Sequence, residues 1–262
     1  MATPTLDRTD ALQHFEDEGY VIFRDVLDSG LIAEAGEHVA WLQERYPDRT
    51  GEELSHELVA KDAFWVRLVS DPRLLDIAEL FVGPDISLFA SHYIAKAPFS
   101  GKAVLWHQDG AFWPLEPMKV VTLWLAVDDS TPENGCLRVV PGSHRNALLD
   151  MRDRPDVESV LGAEIEVDVD EADAADMVMT KGSVEVHHPN IIHGSNANTS
   201  PNRRAGLTIR YIPTSTRIMG EGSALAASIH LRGAPGVNPY QPRPTYVPGD
   251  SFPFAGSEAW QA

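Results

Sequence analysis

The chain has 262 residues, of which 43% are hydrophobic and 23% charged, an ordinary globular composition that excludes wholesale disorder. Its formal net charge of -18 disfavours a nucleic-acid partner, because binding phosphates calls for a basic surface. There is no basic-then-apolar leader and no apolar run of membrane-spanning length, and the lone Cys136 cannot form an intrachain disulfide, so a reducing cytoplasm is the expected compartment and no membrane association is expected.

The first elements read as helical. TDALQHFEDEG forms a capped helix ending at Gly19, YVIFRDVL a strand, and LIAEAGEHVAWLQERY a second helix capped by Asp28 or Ser29. In that helix Leu31, Ile32, Ala35, Val39 and Leu42 recur at helical spacing. A further helix across PRLLDIAELFVG is stopped by the Gly83-Pro84 pair, so a helical layer covers about 9–83. From about residue 86 the runs become short and β-rich: ISLFASHYIAKAP, AVLWHQD, KVVTLWLAVDD, CLRVVPGS, GSVEVHHPNIIHGS and RAGLTIRYIP. This texture predicts a mainly β, antiparallel sandwich or barrel over about 86–213. Residues 146–176 read as an acidic surface insertion with some helix, and the acids from Glu164 to Asp176 as a solvated face. After Pro213 the chain is rich in Gly, Pro and Ser, so 214–262 is either a lid or poorly ordered. One domain over 1–262 is the expectation, without internal repeats, and no heptad or interface stripe tells the oligomeric state.

The sharpest local feature is Trp106-His107-Gln108-Asp109-Gly110. In an extended strand, side chains two apart emerge on the same face, so His107 and Asp109 can reach one ion together. A third ligand must come from elsewhere. His193, in IIHGSNANTS, is the leading candidate because it follows a β-rich run, with His187 and His188 as competitors. Two imidazoles and one carboxylate on one face of an octahedral ion leave three positions free, as in ferrous oxygenases. The plainer reading of His107 and Asp109 is a hydrogen-bonded pair without a metal.

The run from WHQDGAFW through LWLAVDDSTPENGCLRVVPGSH to HGSNANTSPNRRAGLTIRY resembles the phytanoyl-CoA dioxygenase family, and FEDEGYVIFRDVLD extends the likeness more weakly. The resemblance covers most of the chain before the tail. It implies a double-stranded β-helix, or cupin-like jelly roll, with helices outside. It implies Fe(II) on His107, Asp109 and His193, with 2-oxoglutarate as co-substrate, O2 as oxidant and ascorbate as a stimulant. Decarboxylation of 2-oxoglutarate to succinate and CO2 would drive oxidation of an unactivated carbon. The arginine for the distal carboxylate falls on Arg204, an assisting hydroxyl on Ser195, and the Gly-Ser pair after His193 selects it over His187 and His188.

Strand parity agrees with a role for Arg204. Arg204, Gly206, Thr208 and Arg210 share one face, and Ala205, Leu207, Ile209 and Tyr211 share the other, which should pack outward against helices. By the same test Thr122 and Trp124 oppose Val121, Leu123, Leu125 and Val127, placing Trp124 in the site unless it is core packing. His92 and Lys96 fall on one face, and Trp113 shields the iron or stacks on substrate. The substrate-side candidates are therefore Trp113, His92, Lys96 and Arg210. Their plainer readings are a core hydrogen bond for His92, a solvated strand end for Lys96, and neutralisation of an acid such as Asp129 for Arg210. Arg203 is an exposed or structural neighbour and His144 a turn residue.

Hydroxylation of a small organic molecule in a biosynthetic pathway is the expected function. Desaturation or cyclisation uses the same centre, whereas halogenation is disfavoured because Asp109 occupies the place a halide would need. A silent jelly-roll metal-binding protein would not need both the triad and Arg204. A zinc hydrolase lacks a general-base motif such as H-E-x-x-H.

Overall fold

A computed structural model describes residues 8–219 and 228–261. The helical layer comprises α1 Arg8–Glu18, β1 Tyr20–Phe23, α2 Ser29–Arg45, α3 Ala63–Val69 and α4 Pro72–Val82. The strands that follow are β2 Ile86–Lys96, β3 Val104–His107, β4 Leu115–Glu116, β5 Val121–Ala126, β6 Arg138–Val139, β7 Met151–Asp153 and β8 Ala163–Ile165. They continue with β9 Ala175–Asp176, β10 Val184–His187, β11 His193–Ser195, β12 Arg204–Pro213, β13 Arg217–Ile218 and β14 Ile229–Arg232.

Local chemistry sets the helix ends. α1 stops at Gly19, whose φ of 82° is the left-handed conformation that glycine adopts without strain. Asp28, not Ser29, caps α2, its Oδ1 accepting from the N–H groups of Gly30 and Leu31. Asp71 caps α4, Pro72 sits in the first turn where a missing N–H breaks no helical bond, and Gly83 ends the helix at φ 91°. α3 and the 3-10 turn His56–Lys61 have no counterpart in the sequence expectations. AFWVRLV is buried nearly all round, so it has no polar face to set up a helical period. Among the described residues, no helix is long and apolar enough to cross a membrane.

A six-stranded sheet in the order β1-β10-β5-β12-β2-β14 faces a four-stranded sheet in the order β3-β11-β6-β9, with antiparallel pairing throughout. The architecture is a mainly β jelly roll with helices on one side. Leu123, Leu125, Leu207, Ile209 and Tyr211 turn outward and share one core with Leu31, Ile32 and Val39 of α2, Phe64 and Trp65 of α3, and Leu74 of α4. The alternate residues Thr208, Arg210 and Trp124 therefore face the space between the sheets, where they line a cavity.

Two expectations are corrected. The helix in the acidic segment is only the 3-10 turn Glu171–Asp173: β7 and β8 pair, Glu164 is bridged by Arg152 and Arg154, and Glu171 and Asp176 both engage Arg138. Val160 and Leu161, ahead of the acids Glu164 to Asp176, reach the cavity. The described part of the tail is structural, because β14 extends the larger sheet and Phe252 packs on His38, Trp41 and Phe64. No described residue beyond Pro213 lines the cavity, and residues 220–227 and 262 of the tail lie outside the described residues.

Leu207 is fully buried between the sheet and the helices. Leu207→Ala is expected to destabilise the fold by about 2 to 5 kcal/mol, the usual cost of a cavity left by a core leucine. Chemical denaturation should show a lower midpoint with an unchanged slope.

Candidate metal centre and cavity

β3 and β11 are paired so that His193 stands directly opposite His107, and their ring centroids are 4.0 Å apart. Asp109 does not continue β3, as strict strand alternation assumed: the strand ends at His107 and Asp109 opens a 3-10 turn, Asp109–Phe112. The extended Gln108 between them keeps the two side chains together, with His107 Nε2 3.5 Å from Asp109 Oδ1. Gln108 itself is buried and works at both ends. Its Nε2 donates to Asn190 O and its Oε1 accepts from Leu149 N–H, each at 2.8 Å. The Gly110 N–H donates to Pro189 O, also at 2.8 Å. The segment after β3 is thus tied to the one that enters β11, and the three side chains are placed by one backbone seam.

One ligand-type atom from each of His107, Asp109 and His193 lies within 4.8 Å of the others, and all three residues are buried. His107 Nδ1 donates to Leu105 O at 2.8 Å and His193 Nδ1 to Ile191 O at 3.0 Å. A ring nitrogen facing a carbonyl carries its proton, so each Nε2 presents a lone pair, the arrangement that orients metal-binding histidines. Burial and the neighbouring His107 hold His193 well below the ordinary histidine range. For Asp109, burial opposes ionisation, but the Arg210 guanidinium and the adjacent histidines outweigh it and keep the carboxyl well below its usual range. This donor set suits a divalent iron.

The two oxygens of Asp109 have different neighbours. Oδ1 faces the two imidazoles, while Oδ2 accepts from Arg210 Nη2 at 3.2 Å and Thr122 Oγ1 at 3.5 Å. Arg210 therefore neutralises Asp109 and not Asp129, whose carboxylate accepts from Lys181 N–H instead. Sequence reasoning missed the role of Glu185. Its carboxylate lies 2.7 Å from His187 Nδ1, and His187 Nε2 lies 3.8 Å from Asp109 Oδ2. Burial works against protonation of His187, but the Glu185 and Asp109 charges push it up to about 9. The signal was an acid and a histidine on the inward parity of VEVH, opposite Val184 and Val186. His188 stays outside, its Nδ1 accepting from Asn190 N–H.

At the other end of the cavity Arg204 is 1% exposed. Its guanidinium lies 5.3 Å over the Trp124 ring, donates to Ile94 O at 3.4 Å, and leaves Nε without an acceptor. No carboxylate bridges it among the described residues, and burial pulls it down to about 10. Gly206 makes this stacking possible, since a Cβ there would sit 2.0 Å from Trp124 Cζ2. Ser195 lines the cavity beside Arg204. Lys96 is neither a solvated strand end nor a cavity-lining group. It is fully buried behind Ser195, donating to Ser195 Oγ at 2.7 Å and to Asn196 O. Burial and the Arg204 charge bring it down to about 6. Arg203 is structural, holding Asp128 with two bonds at 2.8 and 3.0 Å.

His92 and Trp113 also line the cavity. His92 Nδ1 accepts from Arg210 Nη1 at 2.8 Å, and Trp113 lies under the same guanidinium at 5.2 Å. His56, from the unanticipated 3-10 turn, joins them.

Residues 15–206 match the family model described as phytanoyl-CoA dioxygenase (PhyH). The chain belongs to this family. It is 30% identical over 178 residues to ectoine dioxygenase of Sphingopyxis alaskensis, a match covering 62% of this chain and 58% of that protein. It is 32% identical over 169 residues to L-proline trans-4-hydroxylase of Streptomyces griseoviridis, covering 57% and 63% respectively. The chain thus spans about three-fifths of the length of these two curated relatives. A non-heme monooxygenase structure, ThoJ in its apo form, superposes with a TM-score of 0.79 at 23% identity, covering 95% of this chain and 92% of that one, and supports the fold.

Gln108→Leu removes the two side-chain ties across the seam and leaves Asn190 O and Leu149 N–H without their partner. Titration of the metal-free variant with Co(II) should show affinity about 10- to 100-fold below that of the parent, the usual effect of losing groups that orient ligands.

Proposed function

We propose that this chain is an Fe(II)- and 2-oxoglutarate-dependent dioxygenase that hydroxylates a small organic molecule in a biosynthetic pathway. The observation that carries the reading is one cavity of about 310 Å3 with His107, Asp109 and His193 along one wall and a buried Arg204 without a carboxylate partner in another. A buried cation is costly unless it meets an anion, and a planar guanidinium fits a carboxylate through two parallel bonds. The site therefore suits a dicarboxylate that reaches from the metal to Arg204.

Iron with 2-oxoglutarate and O2, when bound, supplies the oxidising power, releasing succinate and CO2. The chain's own residues hold and shield the reactants. His107, Asp109 and His193 would hold the ion, a donor set that leaves coordination positions for the reactants. Arg204 takes the distal carboxylate, the Ser195 hydroxyl assists it, and Trp124 covers the guanidinium and keeps water from competing for it. Asp109 retains a carboxylate at the metal, which favours hydroxylation over halide transfer. The names of the ectoine and proline relatives support a small-molecule substrate.

Anaerobic addition of Fe(II) and 2-oxoglutarate should produce a weak visible charge-transfer band, and air should then yield succinate. Arg204→Ala is expected to raise the 2-oxoglutarate requirement by an amount equivalent to about 2 to 5 kcal/mol, the cost of removing one partner of a desolvated charge pair. Unchanged co-substrate dependence would refute the role of Arg204. Asp109→Ala should abolish succinate release and metal retention together; full activity would take that carboxylate out of the centre. Oxygen-independent hydrolysis with zinc would replace this reading altogether.

A further inference from the structure

The substrate side of the cavity has a one-sided hydrogen-bonding character. His56 Nδ1 accepts from the backbone N–H of Ser91 at 3.1 Å, and His92 Nδ1 accepts from Arg210 Nη1 at 2.8 Å. A backbone amide and a guanidinium can only donate, so in a neutral ring both remaining nitrogens must carry the proton. Burial and the Arg210 charge hold His56 at about 4 and His92 well below the ordinary range, so both rings are neutral near pH 7. Each therefore offers an Nε2–H donor, the hydrogen bonds of both rings to described residues run through Nδ1, and both rings line the cavity. Trp113, whose indole nitrogen is a donor only, lines it as well.

Acceptors among the side chains of the same region are few and already engaged. Thr208 Oγ1 accepts from Arg210 at 2.6 Å and donates to His92 O at 3.1 Å. Ser55 Oγ accepts from Arg49 at 3.1 Å, leaving its hydrogen to donate. Asp109 is the one carboxylate among the lining residues, and its Oδ2 is held by Arg210 while Oδ1 faces the imidazoles. The cavity mouth is apolar, with Phe112 48% and Leu161 41% exposed, so a ligand that covers these side chains gains by burying them.

We propose that the primary substrate is an apolar-bodied carbonyl or carboxylate compound that sets its acceptor oxygens on His56 and His92 and its body on Phe112, Trp113 and Leu161, and that it is not an amine. An ammonium brings only donors to a wall of donors, and each buried unpaired group is penalised. An α-amino acid is disfavoured for the same reason, although its carboxylate alone would fit. This inference rests on the oxygenase reading, because it assigns the Arg204 end to the co-substrate.

The test uses three probes of one skeleton: 4-phenylbutan-2-one, 3-phenylpropanoate and 3-phenylpropylamine. Each is titrated by equilibrium dialysis into full-length protein loaded with Ni(II) and 2-oxoglutarate, so that Arg204 is filled and a single metal position stays open, one that favours an amine over a ketone and so works against the expected order. The ketone and the acid should bind about ten-fold or more tightly than the amine. In His56→Leu that ratio should fall to about two-fold. Equal or tighter binding of the amine overturns the proposal, as does the absence of saturable binding by all three. Failure of the protein to take up Ni(II) and 2-oxoglutarate at the loading step sinks the oxygenase reading and this inference together; failure at the probe step sinks only the inference.

Discussion

The pairing of β3 with β11 is the constraint on which the cavity depends. It sets His193 opposite His107, and the buried Gln108 side chain then locks the segment carrying Asp109 to the segment entering β11. Three polar side chains that are costly to take out of water are held together by the strand ladder and by the Gln108 side chain. The tautomers follow from the same frame, since Leu105 O and Ile191 O accept the Nδ1 protons.

Charge in the cavity is arranged by position. Asp109 is held between the imidazoles on one side and Arg210 and His187 on the other, so its ionised form is favoured despite burial. Arg204 and Lys96 lie at the opposite end, where no salt bridge compensates either among the described residues. A cavity with a satisfied anion at one end and the uncompensated Arg204 guanidinium near the other has an intrinsic polarity, while burial and the Arg204 charge bring Lys96 down to about 6 and favour its neutral form. The neutral His56 and His92 rings in the cavity lining add direction without adding charge.

The sheet's inward face depends on a residue with no side chain. Gly206 lies on the same face as Arg204, Thr208 and Arg210, and its missing Cβ is the space that Trp124 occupies. Tryptophan thereby reaches the guanidinium from the neighbouring strand. On the outward face the same strand presents Ala205, Leu207, Ile209 and Tyr211 to α2, α3 and α4. One alternation in β12 thus serves both the helical layer and the cavity.

Much of this was legible in the amino-acid sequence because it depends on short-range rules. Period-two alternation assigned Arg204, Trp124 and Thr122 to one side and the apolar residues to the other, and the helix ends at Gly19 and Gly83 followed from glycine's freedom at positive φ. The family likeness around WHQDG and HGSN pointed to the triad. What the sequence could not decide were the partnerships between residues far apart in the chain: Arg210 with Asp109, Lys96 with Ser195, the Glu185–His187 pair with Asp109, and His56 in the cavity lining. Strand parity says which way a side chain points, but the distance to its neighbour depends on sheet register and on how two sheets close over each other, and those are set only when the whole core packs.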